Sequence, residues 1–174
     1  PADRRFHAQP NACSVCGPHI WLQNQEQILA THEMALKQTA LLLQQGNIVA
    51  VKGLGGFHLA CDANNQKTVD LLRQRKHRPT KPLAIMVPDL QFLQDLSSQE
   101  TELLTSSAAP IVLISKHKVP HIADNIAPNL QEIGVMLPSN PLQHLLLRAV
   151  NRPLVMTSAN ASGQPPVLKN EHAV

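Results

Sequence analysis

A chain of 174 residues, 43% of them apolar, can bury one hydrophobic core of ordinary size but is too short for two comfortable ones. Its net charge of +3 suits an anionic ligand, but it lacks the dense basic blocks of a nucleic-acid-binding arm. Aromatic residues make up only 2% of the chain, which disfavours a protein that stacks the bases of single-stranded RNA on an aromatic platform.

Strand and helix signals alternate after an irregular start. Residues 1–20 are rich in Pro, Arg and His and show neither period, so we interpret them as a linker and metal knuckle. Apolar and β-branched runs predict strands at residues 48–51, 57–61, 83–87, 111–114, 135–137 and 154–156. Helical spacing and cap residues predict helices at residues 33–45, from Asn65 to about Arg75, after the Ser97 and Glu100 capping-box pattern, and from Asn140 to about Val150. The alternation predicts an α/β fold, with a mostly buried sheet and helices packed on it.

The first candidate for binding an anion is Lys76-His77-Arg78-Pro79-Thr80-Lys81-Pro82. Each proline pushes the residue before it out of the helical region, and side chains alternate along an extended chain. Lys76 and Arg78 are therefore predicted to point the same way and grip a phosphate or carboxylate, with Lys81 as a secondary contact. A solvated basic loop is the alternative, and it is the commoner outcome for a generic Lys and Arg cluster.

A second candidate lies at residues 157–163, where an apolar run breaks into small polar residues. Ser158 and Asn160 have alternate spacing, so their hydroxyl and amide groups can face the same way and bind phosphate or ribose oxygens. We count Thr157 among the nucleotide-binding candidates. An ordinary Ser and Asn turn is the alternative, and it is favoured if this segment is taken alone.

A glycine-rich bend at residues 53–56 lies between two predicted strands, beside Lys52 and His58. It is neither a phosphate-binding P-loop nor a dinucleotide fingerprint, because the lysine precedes the glycines and no helix opens after them. The bend can still admit a small ligand. A packed or hydrogen-bonded histidine is the ordinary alternative for His58.

Cys13 and Cys16 form a C-x-x-C pair, which is half of the ligand set of a tetrahedral zinc site. Gly17 and Pro18 follow the pair instead of a helix, which disfavours a thioredoxin-type redox pair. Two close cysteines and one distant cysteine do not make a secreted disulfide framework, and no run approaches the roughly 20 apolar residues of a membrane span. We therefore expect a cytoplasmic protein with no membrane partner.

Together these segments resemble the HypF family of hydrogenase-maturation carbamoyltransferases across nearly the whole chain. Residues 3–10 and the Cys13, Cys16, Gly17, Pro18 pattern resemble the end of its zinc-finger region, and residues 53–63 resemble its version of the first loop. The Lys76-x-Arg78 and Ser158-x-Asn160 pairs resemble the Lys, Arg, Ser, Asn tetrad of the wider YrdC superfamily, whose members bind ATP and make acyl adenylates. The resemblance implies a zinc-finger remnant at residues 1–20. It also implies a C-terminally truncated YrdC-like domain at residues 21–174, with a twisted mixed β-sheet.

The resemblance also implies a reaction. The domain would bind ATP with Mg²⁺ and carbamate from carbamoyl phosphate, form carbamoyl-AMP, and supply the carbamoyl group for a cysteine thiol of a HypE-type partner. Lys76 and Arg78 would neutralise carbamate and phosphate charge, Ser158 and Asn160 would hold the nucleotide, and Lys52 and His58 would lie at the small-substrate end. Zn²⁺ would be structural in an intact finger, and the acylphosphatase-like and C-terminal domains of the family would lie elsewhere in a longer chain.

One segment departs from the family pattern. Ser139-Asn140-Pro141-Leu142-Gln143 stands where a Tyr-Thr-Pro-Leu-His type sequence is expected, and we count Ser139 among the substrate-binding candidates. Two other functions stay open. One is a threonylcarbamoyl-AMP synthase, whose Pro-Thr-x-Thr-x-Tyr-Gly type loop is absent here; the other is a non-enzymatic YrdC-type RNA-binding module, which salt-dependent binding to tRNA would reveal.

Overall fold

A computed structural model describes residues 13, 15–25, 27–53, 55–160, 165 and 167–170. In these residues the strands are β1 (Trp21–Asn24), β2 (Gln27–Thr31), β3 (Val49–Gly53), β4 (Gly56–Asp62), β5 (Ile85–Met86), β6 (Val112–Ser115), β7 (Glu132–Met136) and β8 (Leu154–Ser158). The α-helices are α1 (His32–Gln44), α2 (Gln66–Arg75), α3 (Ser98–Thr105) and α4 (Pro141–Val150). No helix in this part of the chain is long and apolar enough to cross a membrane.

Three helices begin at the cap residues that the sequence predicts. The Asn65 side chain accepts a hydrogen bond from the first turn of α2, and the Asn140 side chain does the same for α4, which opens with Pro141. Ser97 and Glu100 form both halves of the capping box at α3. Because these caps satisfy N–H groups that have no partner within the helix, they fix where each helix starts.

Six strands form one mixed sheet in the order β3-β4-β8-β5-β7-β6. The β5–β7 pair is parallel and the other pairs are antiparallel. Gly56 lies at the bend between β3 and β4 with a φ of 118°, which side chains disfavour, so the bend requires a glycine there. The predicted α/β fold with a mixed sheet and packed helices is confirmed.

Alternating side chains send each strand's residues to two separate cores. Val155 of β8 packs in one core with residues of α2 and α3, such as Leu72 and Leu104. Its neighbours Leu154 and Met156 pack in the other core, with residues of α1 and α4. The sheet is therefore covered by helices on both faces, and its strand ends are left as the place for a ligand.

The hairpin of β1 and β2, which packs against α1, was not predicted from the sequence. Its apolar residues Ile28 and Leu29 are adjacent and both exposed, so they form no alternating pattern. The boundary predicted at residue 20 falls just before this hairpin, and residues 1–12 of the predicted linker and knuckle lie outside the described residues.

Candidate functional site

Lys76 connects the end of α2 to the end of β8, where Ser158 lies 82 positions further along the chain. It follows α2 as the C-cap residue, and its Nζ donates hydrogen bonds to the carbonyl oxygens of Ser158, at 2.6 Å, and Asn160, at 2.9 Å. The Lys76 side chain is buried. The structure thus places Lys76 at the end of β8, beside the Ser158 and Asn160 pair.

Arg78 lies beside Lys76, but the extended backbone expected there is wrong. Lys76 has a helical φ of −85°, and His77 has a left-handed φ of 49°, because α2 closes with a reversed turn instead of running on as a strand. The Arg78 Nη2 donates to the carbonyl oxygen of Pro82 at 2.8 Å. Its Nε is buried and has no hydrogen-bond partner among the described residues. The guanidinium therefore retains donors for a ligand.

Burial and a like charge act together on the Lys76 ammonium group. Desolvation lowers the pKa of Lys76, and the positive charge of Arg78 lowers it further. Among the described residues, the ion pairs are Lys37 with Glu33, Lys118 with Glu100 and Arg152 with Asp62. Neither Lys76 nor Arg78 belongs to one of them, so an anionic ligand would relieve their repulsion.

Arg73, which the sequence analysis missed, fixes the shape of the basic segment. Its side chain is buried, and its guanidinium donates to the carbonyl oxygens of five residues, namely Arg78, Pro79, Lys81, Asn125 and Ile126. Three of these carbonyls belong to the predicted anion-binding segment. The signal was the helical phase, because Val69, Leu72, Arg73 and Lys76 follow the i, i+3, i+4, i+7 spacing of a buried helix face.

The polar residues at the end of β8 divide between the two faces of the sheet. Ser158 Oγ donates to Asn160 Oδ1, and both residues are half-buried. Thr157 is buried, and because side chains alternate it projects from the opposite face. The structure therefore brings Lys76, Ser158 and Asn160 together, with Arg78 beside Lys76, and it does not bring the Thr157 side chain to the same place. The predicted residues 161–163 lie outside the described residues.

A cavity of about 180 Å³ opens on the face from which Ser158 projects. His58 lines this cavity and lies directly opposite Ser158 in the β4–β8 register. Residues opposite each other in an antiparallel pair project from the same face, so the Ser158 side chain projects from the face on which this cavity opens. Met86, Met136 and Met156 also line it, as do the polar residues Ser139, Asn140 and Gln143. We call it the small cavity.

His58 and Ser139, two of the predicted binding residues, both line the small cavity. Burial lowers the pKa of His58, which favours the neutral ring. Its Nδ1 is buried without a partner among the described residues. A Cβ at position 53 would lie 3.0 Å from that nitrogen, so Gly53 is what lets the imidazole pack against β3.

Lys52 and Lys81 are not brought to the small cavity. Lys52 alternates with the buried Val51, donates to Asn170 Oδ1 at 2.7 Å and lies over the Phe57 ring. It lines a larger, mainly apolar cavity of about 830 Å³ between the β1–β2 hairpin, α1 and β3. No tetrad residue lines either cavity, but His58 of the small cavity lies opposite Ser158 in the β4–β8 register, so we place the candidate site at the small cavity. Lys81 is exposed, and its carbonyl oxygen is held by Arg73.

Cys13 and Cys16 are both free and exposed. Gly17 N donates to Cys13 O at 2.8 Å, and Val15 N approaches Cys13 Sγ at 3.4 Å. Backbone hydrogen bonding from Cys16 and Val15 lowers the pKa of the Cys13 thiol, which favours the thiolate that binds metals. Within the described ranges no cluster of three Cys, His, Asp or Glu side chains could hold a metal ion.

Two family models match the chain. The model for Sua5, YciO and YrdC proteins, described as telomere recombination, matches residues 41–174, and the model described as HypF finger matches residues 1–23. Neither model matches residues 24–40.

Curated and solved relatives agree with the family models. The chain is 51% identical to carbamoyltransferase HypF of Rhodobacter capsulatus over 99% of its own length and 23% of that protein. It is 31% identical to threonylcarbamoyl-AMP synthase of Xylella fastidiosa strain 9a5c, over 79% of this chain and 78% of that one. A solved structure of full-length HypF in the phosphate- and nucleotide-bound form is 41% identical with a TM-score of 0.82, covering 99% of this chain and 23% of that one. The chain thus spans about a quarter of the length of its HypF relatives.

Proposed function

Because this chain belongs to the Sua5, YciO and YrdC family and resembles HypF proteins over its whole length, we propose that it binds ATP and carbamate and forms carbamoyl-AMP. The observation that carries the proposal is the meeting of Lys76 with the Ser158 and Asn160 pair, beside the small cavity. A phosphate-bearing ligand would lie along Lys76 and Arg78, and its small co-substrate would lie in the cavity.

The described residues fit an anionic nucleotide. The buried Arg78 Nε has no partner among them, and the Lys76 ammonium group is both desolvated and repelled by Arg78. A triphosphate would supply acceptors for the guanidinium and negative charge for both cations. Mg²⁺ usually keeps several waters and binds through substrate phosphates, so it needs no dedicated acidic cluster in the protein.

The proposed reaction is a substitution at the α-phosphorus of ATP. A carbamate oxygen attacks this atom, a new P–O bond forms, and pyrophosphate leaves with the electrons of the broken P–O bond. Carbamoyl-AMP and pyrophosphate are the products. Such a transfer depends on positioning and on neutralising charge, so Lys76 and Arg78 need no partner nucleophile.

The steps before and after the formation of carbamoyl-AMP require more than this chain. Release of carbamate from carbamoyl phosphate is assigned to the parts of the longer relatives that this chain does not span. In the following step a cysteine thiolate of a HypE-type acceptor attacks the carbamoyl carbon, and AMP leaves. Cys13 and Cys16 would supply two thiolates to a structural Zn²⁺, with two further ligands from outside the described residues.

The threonylcarbamoyl-AMP synthases are the rival within the same family. The identity of 51% to a HypF relative against 31% to a synthase supports the carbamoyl substrate. An RNA-binding role without catalysis would predict salt-dependent binding to tRNA and no exchange of pyrophosphate into ATP.

Isothermal titration with ATP and Mg²⁺ tests the nucleotide site. Lys76→Ala and Arg78→Ala should each weaken binding by roughly ten-fold to a hundred-fold, because each removes a charge-assisted contact of about 1.5 to 3 kcal/mol. Lys67→Ala is the matched control, since Lys67 is an exposed lysine of α2. Undiminished affinity in both test variants would show that the assigned roles are wrong.

A further inference from the structure

Gln143 holds a buried amide group whose orientation is fixed. It lies in the first turn of α4 with 7% of its surface exposed. Its Oε1 accepts from Ser139 N at 2.9 Å and from Ser139 Oγ at 3.2 Å. A backbone N–H can only donate, so the atom facing it must be the amide oxygen, and the Nε2 must be the other atom.

The two N–H donors of Gln143 Nε2 have no partner among the described residues, although Gln143 lines the small cavity. The rest of the lining beside this amide is largely apolar, including the side chains of Met86, Met136 and Met156. An apolar cavity with a few convergent polar groups is the usual form of a ligand site. The unpaired amide therefore points to a ligand that accepts hydrogen bonds.

The size and chemistry of the small cavity limit the kinds of ligand that it can bind. Its volume of about 180 Å³ is below the roughly 300 Å³ at which ordinary drug-sized sites begin, so it suits a ligand of a few atoms. Ser139 Oγ, which already donates to Gln143, keeps lone pairs that can accept from a ligand amino group. One wall thus offers donors and an acceptor side by side, the pattern that a carboxylate bearing an amino group requires.

We propose that Gln143 determines specificity for the small substrate by donating from Nε2 to a carbamate oxygen while Ser139 Oγ accepts from the carbamate amino group. The inference rests on the proposed function and names the residue that selects its substrate. A cavity of about 180 Å³ leaves little room for a larger group, such as the side chain of a threonine-derived carbamate. Ser139 was predicted from the sequence as a substrate contact, whereas Gln143 was noted only as part of the departure.

Gln143→Glu is the decisive variant. A glutamate carboxylate still accepts both hydrogen bonds from Ser139, so the start of α4 keeps its contacts, but it replaces the two donors by acceptors with negative charge. Carbamate would then meet repulsion in place of a hydrogen bond. Gln143→Leu, of similar size, removes the donors without adding charge, but it also removes the oxygen that accepts from Ser139. Gln99→Leu, on the exposed face of α3, is the matched control.

The measurement is pyrophosphate exchange into ATP at increasing concentrations of freshly dissolved ammonium carbamate, with ATP affinity measured separately by titration. We expect the KM for carbamate to rise about ten-fold or more in Gln143→Leu and further in Gln143→Glu, with wild-type ATP affinity in both. The side-chain amide signal of Gln143 in a ¹⁵N–¹H spectrum should also shift when carbamate is added to the ATP-bound protein.

The outcomes separate this inference from the function on which it rests. If the wild-type chain binds ATP and both Gln143 variants keep the wild-type KM for carbamate, the specificity role is wrong and the nucleotide site stands. If the wild-type chain binds no ATP, the proposed function fails, and the inference is overturned with it.

Discussion

Replacing Arg73 by methionine should destabilise the protein through the basic segment instead of through the hydrophobic core. Methionine can fill the space of the aliphatic part of the side chain, but it donates no hydrogen bond. The change therefore isolates the five hydrogen bonds that the guanidinium makes to backbone carbonyl oxygens.

The expected loss of stability depends on which of those carbonyl oxygens can find another hydrogen-bond donor when Arg73 is replaced. Ile126 O keeps a backbone N–H donor, and Pro79 and Lys81 are exposed enough for their carbonyls to turn to water. The carbonyl oxygens of Asn125 and Arg78 lose the hydrogen bonds that Arg73 donates to them. At about 1.5 kcal/mol for each lost hydrogen bond to a charged group, the free energy of unfolding should fall by about 3 kcal/mol.

Urea denaturation of Arg73→Met beside Arg75→Met measures this difference. Arg75 lies at the same end of α2 but is exposed, so its replacement should change the free energy of unfolding by less than about 0.5 kcal/mol. ATP affinity, measured well below the midpoint, should also fall in Arg73→Met because the segment that carries Arg78 loses its anchor. Equal unfolding curves for the two variants would refute the argument.

Three further predictions concern titratable groups. Hydrogen bonds from Lys118 lower the pKa of Glu100 from 4.5 to about 2. The wild type should therefore lose stability as pH falls from 4.5 toward 2, and Glu100→Gln should lose less. An equal loss of stability in the two proteins over this pH range would contradict the prediction. Burial raises the pKa of Cys61 to about 12, so a chromogenic disulfide reagent should label the exposed thiols of residues 13–16 at once and Cys61 only in denaturant. The pKa of Lys76 lies below its ordinary 10.5, and a bound anion favours the charged form of the ammonium group. ATP affinity should therefore fall as alkaline pH neutralises Lys76, and calorimetric titration in that range should show that binding takes up protons. An ATP affinity that does not change up to pH 10.5 would exclude this linkage.

The sequence predicts the helix starts better than the site because caps are local and the site is not. Asn65, Ser97 and Asn140 act on N–H groups within their own first turn, so the pattern and the structure coincide. The role of Arg73 depends on carbonyls of residues 125 and 126, which sequence spacing cannot bring to it. The turn at Lys76 and His77 also escaped prediction, because the preference for extended backbone before a proline applies to Arg78 and Lys81 and does not reach back to the end of α2.

The two cations of the tetrad, Lys76 and Arg78, differ in the number of N–H donors that they have left for a ligand. An ammonium group has three N–H donors, and Lys76 donates two of them to the carbonyl oxygens of Ser158 and Asn160, so one is left for a ligand. The Arg78 guanidinium has five donors, and its one hydrogen bond among the described residues goes to Pro82. Arg78 is therefore the better direct contact for a phosphate, while Lys76 contributes charge and holds the end of β8 in place.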